Sequence, residues 1–230
     1  MYKSREVRWF FKEENKQLSD WFNSKGLYFL NTGPRTDYYY NLVSGEDSGI
    51  KLREGKIEYK HRVGASELNT LHHNCKGYFE NWVKWSFNVD SPDTEQKGIL
   101  GKEFSDIWTP VYKERVAIKI YNTDQGESLT VNLNQYLGEG CQMEYTRVIV
   151  WEQEWFTFGL EWFGNKQIPL HPKLLESVLG NVQLKKKYSM GYPHFLASKR
   201  PENYTENTSK SSDKKITKLI LDLPDQSKPS

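Results

Sequence analysis

Charged side chains recur at every second residue along several strand-like stretches of this 230-residue chain. Glu6 and Arg8 alternate in this way, as do Lys51 and Arg53, then Lys56, Glu58, Lys60 and Arg62, then Lys113, Arg115 and Lys119, then Gln142 and Glu144, with Glu161 on a further stretch. Residues two apart on a β-strand point to the same side of the sheet, so each set shares one face. Basic groups dominate these faces, with a few carboxylates among them. Guanidinium forks and ammonium groups make strong charge-assisted hydrogen bonds to phosphate oxygens, and carboxylates hold hard divalent cations. The chemistry on offer is therefore the grip of a phosphorylated anion, with or without a metal ion. The same alternation also describes a sheet that shows its polar face to water and its apolar face to a core. The opposite faces leave both arrangements open. Val7, Trp9 and Phe11, Ile57 and Tyr59, and Phe158, Leu160 and Trp162 can pack inward, or outward against helices while the charged faces close into a lined tunnel.

Other candidates carry less. His72 and His73 are adjacent, so strand alternation would send them to opposite sides and keep them from one metal ion. Cys75 and Cys141 are the only cysteines, too few for a disulfide framework and consistent with buried thiols in a reducing compartment. No P-loop, dinucleotide-binding or nucleophile-elbow motif occurs. The 8 tryptophans and 14 tyrosines fall largely at alternate strand positions, where large aromatics usually form core.

The elements that must position the charged faces are short and mostly β. Glu6 to Phe11 reads as a strand, Glu13 to Lys25 as a helix with Leu18, Trp21 and Phe22 on one side, and Gly26 as its C-terminal stop. Strand patterns follow at Leu27 to Leu30, Asp37 to Tyr40, Ile50 to Arg53, Lys56 to Val63, Tyr78 to Val89, Val111 to Tyr121, Gly140 to Trp151 and Trp155 to Phe163. Glu54-Gly55 supplies a hairpin turn. Pro172 to Leu184 reads as a closing helix with Leu174, Leu175, Val178 and Leu179 on one stripe. This is an α+β pattern, mainly antiparallel β, in which so many strands predict a barrel or a sandwich.

Composition sets the outer limits. Hydrophobic residues are 37% and charged residues 27%, enough to fold and too polar for a spanning helix. The seven Lys/Arg and five Asp/Glu after Ser198 account for the whole net charge of +2, leaving residues 1–198 neutral. A neutral domain is not the basic field that nucleic acid attracts, so neither nucleic acid nor membrane is an expected partner. The start MYKSREVRWFF lacks an apolar signal segment, and a cytoplasmic location is expected. Residues 1–198 are expected to form one domain and 199–230 a disordered, Ser/Lys-rich tail with an apolar island at 216–223.

The serial order of the pieces, more than their composition, resembles the CYTH or triphosphate tunnel metalloenzyme superfamily. EVRWFF from Glu6 looks like that family's opening E-x-E-x-K strand, and RTDYYY from Arg35 looks like its tyrosine-rich second strand. GIKLREGKIEYKHR from Gly49 is similar to its L-R-x-R hairpin, and VYKERVAI from Val111 to its K-x-R strand. MEYTRV from Met143 resembles its Glu-bearing strand, WFTFGLEWFG from Trp155 its late E-x-E strand, and SMGYPHFLA from Ser189 its closing S-Y-P segment. The resemblance spans residues 5 to about 197. It implies an eight-stranded closed antiparallel barrel with flanking helices, enclosing a basic tunnel for triphosphate and related anions.

Carried over residue by residue, the resemblance implies that Lys51, Arg53, Lys60, Lys113 and Arg115 contact phosphate, with Arg8 and Arg62 joining them through the alternation. It implies Glu6, Glu144 and Glu161 as catalytic groups and ligands of Mg²⁺ or Mn²⁺. Three positions depart from the family pattern: Arg8 stands for the second Glu, Phe10 for the Lys, and Gly159 for the first Glu of the late E-x-E. The expected function is binding of a phosphorylated small anion, with metal-dependent hydrolysis as its extension. The alternative is a non-catalytic scaffolding domain with charged outer faces and a partner-recruiting tail. A lipocalin-like barrel for an apolar ligand fits the aromatics and not the charges.

Overall fold

Alternation between charged and apolar residues shapes the protein, whose computed structural model describes residues 1–29, 33–41, 46–88 and 107–201. Expectations for Leu30, for Val89 and for the tail from Glu202 onward, including the island at 216–223, lie outside these residues. The strands are β1 (Tyr2–Phe11), β2 (Arg35–Tyr40), β3 (Ser48–Arg53), β4 (Lys56–Arg62), β5 (Glu67–His72), β6 (Cys75–Asn88), β7 (Trp108–Asn122), β8 (Ser128–Asn132), β9 (Gly140–Val150) and β10 (Gln153–Phe163). Eight of them run in the antiparallel order β1-β10-β9-β7-β2-β3-β4-β6, and β6 pairs back onto β1 to close a barrel. β5 adds to β6 and β8 adds to β7 outside that ring.

The barrel is inside-out relative to a globular core. Val7 faces Leu160 and Trp9 faces Phe158 across β1 and β10, and all four point outward into the larger apolar cluster. Helix α1 (Lys16–Asn23) and helix α2 (Pro172–Leu179) cover this surface with Leu18, Trp21 and Phe22 and with Leu175, Val178 and Leu179. Burying such side chains contributes about 1.5–3 kcal/mol each. The Asn15 side chain accepts from the Leu18 N–H at 3.1 Å to start α1, and the Asn15 N–H donates to the Tyr145 hydroxyl at 2.9 Å, fixing that start to β9. Because the apolar faces are spent on helices outside, the charged faces are left to line the interior.

A third helix, α3 (Tyr192–Lys199), stops one end of the barrel. Phe195 is fully buried among Phe10, Val111, Val148, Val150, Trp151 and Trp155, and its ring stacks on Phe10 at 4.0 Å. Phe10 lies on the same face of β1 as Glu6 and Arg8, so an apolar ring at the end of that charged face supplies the seat for the plug.

Several expected elements differ. Leu27 to Phe29 is not a strand, since the chain leaving α1 through Gly26 at φ 73° turns there to pack Leu27 and Phe29 on the outer cluster. The helix from Pro172 ends at Leu179 instead of Leu184, because Gly180 takes φ 41° and breaks it. β5, β8 and α3 were not foreseen in the sequence. No helix among the described residues is long and apolar enough to cross a membrane.

Candidate functional site

The interior of the barrel holds a cavity of about 650 Å³. Nine cationic and seven acidic side chains line it, so a net positive charge is confined within a sheath of apolar packing. Of the residues expected to act, Glu6, Arg8, Lys51, Arg53, Lys60, Lys113, Arg115, Glu144 and Glu161 all reach this one space. Arg62 does not line it; its Nη1 lies 3.5 Å from Glu80 Oε1, which does. Most of the charged residues that the alternation singles out therefore face inward rather than to solvent, and among the described residues the barrel interior is a charged chamber rather than an apolar pocket of the lipocalin kind.

The lining is polarised around the ring. On adjacent strands β6, β1 and β10, Glu80, Glu6 and Glu161 stand in direct cross-strand register. Across the cavity, β7, β2 and β3 present Lys113 and Arg115, Arg35, and Lys51 and Arg53. Burial, reinforced by the Glu6 charge and only partly offset by Arg62, pushes the Glu80 carboxyl up to about 7. Burial and the neighbouring Glu6 also raise Glu161, whose carboxylate meets the Tyr2 hydroxyl. Burial works against Glu6 too, but Lys60 and the Ser4 hydroxyl hold it ionised, below its usual range.

Arg8 and Gly159 belong together. They face each other across β1 and β10, and Gly159 in turn faces Glu144 across β10 and β9. With no side chain on Gly159, the Arg8 guanidinium crosses over it and reaches Glu144 Oε1 at 2.6 Å and Thr157 Oγ1 at 3.2 Å. A Cβ on Gly159 would sit 2.8 Å from Arg8 Cζ. Glu144 also meets Arg115 at 3.2 Å. Against its burial, these two cations hold the Glu144 carboxyl well below the usual carboxylate range.

The basic wall has its own order. Lys113 Nζ donates to Asp37 Oδ2 at 2.8 Å and to the Tyr39 hydroxyl at 2.7 Å, and lies 3.7 Å from the Tyr192 ring centroid on α3. Burial, with Lys51 and Arg35 close by, brings Lys113 down to about 7 despite Asp37. Burial and the Arg53 charge likewise lower Lys51. Glu58 takes both Lys51 at 2.7 Å and Arg53 at 2.9 Å, which draw its carboxyl down to about 2 against burial. Crowded, partly neutralised cations of this kind gain when an anion arrives.

Sequence reasoning passed over Arg35, Asp37, Tyr39, Glu80, Lys84 and Tyr192 as site residues, although all line the cavity. The signal for the first three was the alternation within RTDYYY, hidden by starting the strand at Asp37. Glu80, Trp82 and Lys84 also alternate, within the long strand β6.

No family model matches the chain, and no curated protein matches it. Among solved structures it is similar to the PH1012 protein from Pyrococcus horikoshii OT3, at 14% identity over 80% of this chain and 93% of that one, with a TM-score of 0.37. A likeness so slight carries no argument about this protein.

Proposed function

We propose that the barrel is a divergent triphosphate-type tunnel that binds a small phosphorylated anion, through Arg35, Lys51, Arg53, Lys113 and Arg115. The observation that supports this most is the polarised lining: a row of cations, Lys113 buried and the rest half-buried, facing a row of carboxylates inside one closed ring. Phosphate oxygens would add negative partners to Lys51 and Lys113, which burial lowers although each already meets one carboxylate. Arg8 is paired with Glu144, so Glu6, Glu80 and Glu161, in cross-strand register, would be the carboxylates to hold one Mg²⁺ or Mn²⁺, after side-chain shifts that bring their oxygens closer together than they stand. The mutual repulsion that raises Glu161 is what a divalent ion would relieve. Such an ion would neutralise phosphate charge and acidify a bound water. With Arg8 already supplying a positive charge to Glu144, binding needs no metal, and turnover, where it occurs, depends on one.

Tripolyphosphate tests this by thermal unfolding in the presence of chelator. At a hundred times its dissociation constant it adds about 2.7 kcal/mol, roughly 5–10 °C for a domain of this size. Arg115→Ala and Arg53→Ala should each remove much of that gain. A chain that shows no shift, or shifts undiminished in both variants, does not bind phosphate in this tunnel.

A further inference from the structure

Outside the barrel, His72 and His73 close the tip of the β5–β6 hairpin. Strand alternation would separate them, and the structure does the opposite. The pairing of β5 with β6 slips between Thr70 and His72, and the chain turns through His73 and Asn74 with His72 opposite Cys75. That irregularity cancels the alternation. The two imidazole rings lie 3.9 Å apart at 49°, and His72 Nε2 is 2.8 Å from Glu176 Oε2 on α2. One ligand atom from each of the three residues lies within 4.8 Å of the other two.

We propose that His72, His73 and Glu176 form a binding site for a borderline transition-metal dication, Zn²⁺ by its donor set, clamping the hairpin to α2. Two imidazoles and one carboxylate are donors suited to Zn²⁺, with a fourth position left for water. Metal–ligand bonds of about 2.0–2.2 Å at tetrahedral angles bring donor atoms to roughly 3.4 Å from one another. His73 and Glu176 are exposed and free to rotate by that margin, while His72 is mostly buried and fixes the origin of the site. Magnesium, which selects oxygen, is a poor match for two imidazoles.

The scaffold on both sides is already set. The Leu184 N–H donates to the Asn74 carbonyl at 3.1 Å and the Lys76 N–H to the Leu184 carbonyl at 2.8 Å, lacing the hairpin to the segment that follows α2. Cys75 does not compete for the ion, since it is buried and its thiol is pushed up to about 11 by burial. An exposed His–carboxylate contact contributes little to folding by itself and leaves the second ring without a role. A metal ion uses all three groups and secures β5, an edge strand of the sheet.

Calorimetric titration of the untagged, chelator-stripped full chain with Zn²⁺ alone tests the site, with thermal unfolding followed in parallel. The wild type should take up one ion per chain and melt higher with it. His73→Ala, which alters only an exposed turn residue, and Glu176→Gln, which keeps the shape of its partner, should each lose roughly tenfold or more in affinity and the thermal gain. His194→Ala, away from this cluster and from the barrel carboxylates, should bind as the wild type does. The proposal is overturned if the wild type binds no zinc. It is equally overturned if binding survives both exterior changes, or if it is lost as much in His194→Ala as in His73→Ala.

Discussion

Glu80 offers the sharpest test of the buried electrostatics, because its replacement by Gln keeps the shape and removes only the ionisation. In the folded chain its carboxyl titrates at about 7, against a usual 4.5. Between those two values the folded protein holds a proton that the unfolded chain has released, so stability falls as pH rises through this window. At about 1.4 kcal/mol per tenfold difference, the full cost above pH 7 is about 3 kcal/mol. Glu80→Gln carries no such proton and escapes the cost. Its stability relative to the wild type should therefore climb by about 3 kcal/mol between pH 4.5 and pH 8, roughly 6–12 °C in melting temperature. Arg62 loses its partner at 3.5 Å in the variant, but it stays charged throughout and adds only an offset that does not change with pH. Urea unfolding of both proteins across this range reads the difference directly. A difference that is flat, or that declines with pH, refutes the account of Glu80 as a carboxyl kept neutral by its surroundings.

Two further substitutions probe the packing that shapes the tunnel. Gly159→Ala should cost about 1–3 kcal/mol by driving a Cβ into the Arg8 guanidinium. Combining it with Arg8→Ala should cost less than the two changes separately, and additive losses in denaturant unfolding would separate the pair. Phe195→Ala should cost about 3–5 kcal/mol by emptying the plugged end, and a loss below about 1 kcal/mol would show that α3 does not seal it.

The barrel and most of its lining were legible because alternation carries over short distances. Glu6 and Arg8, or Lys51 and Arg53, share a face whatever the rest of the chain does. Whether that face is inside depends on what packs against Trp9 and Phe158, namely α1 and α2, which are remote in sequence from each other. Periodicity is silent on that choice. The pairing of Arg8 with Gly159 was equally hidden: neither residue signals the other when taken alone, and only their register across β1 and β10 makes the glycine the space that the arginine fills. Glu80 lies within the expected Tyr78 to Val89 strand, but Trp82 stands between it and Lys84, so the charged face is interrupted by an aromatic ring. His72 and His73 misled for the converse reason, since a slipped register next to a turn overrides alternation without leaving a mark in the residue types.

The plug of α3 bears on how a guest behaves once inside. Because Phe10, Val148, Val150, Trp155 and Phe195 fill one end, anything that reaches Arg35 or Lys113 comes and goes past Tyr2, Lys84 and Lys119 at the other. Among the described residues, a chamber filled at one end in this way would handle a chain-like molecule by its terminus. A long polymer would not slide through the filled end, and whatever left would retrace the path of what came in. Guests would then be sorted by the group at their tip and by how much of their length the chamber can swallow, with the remainder trailing into water.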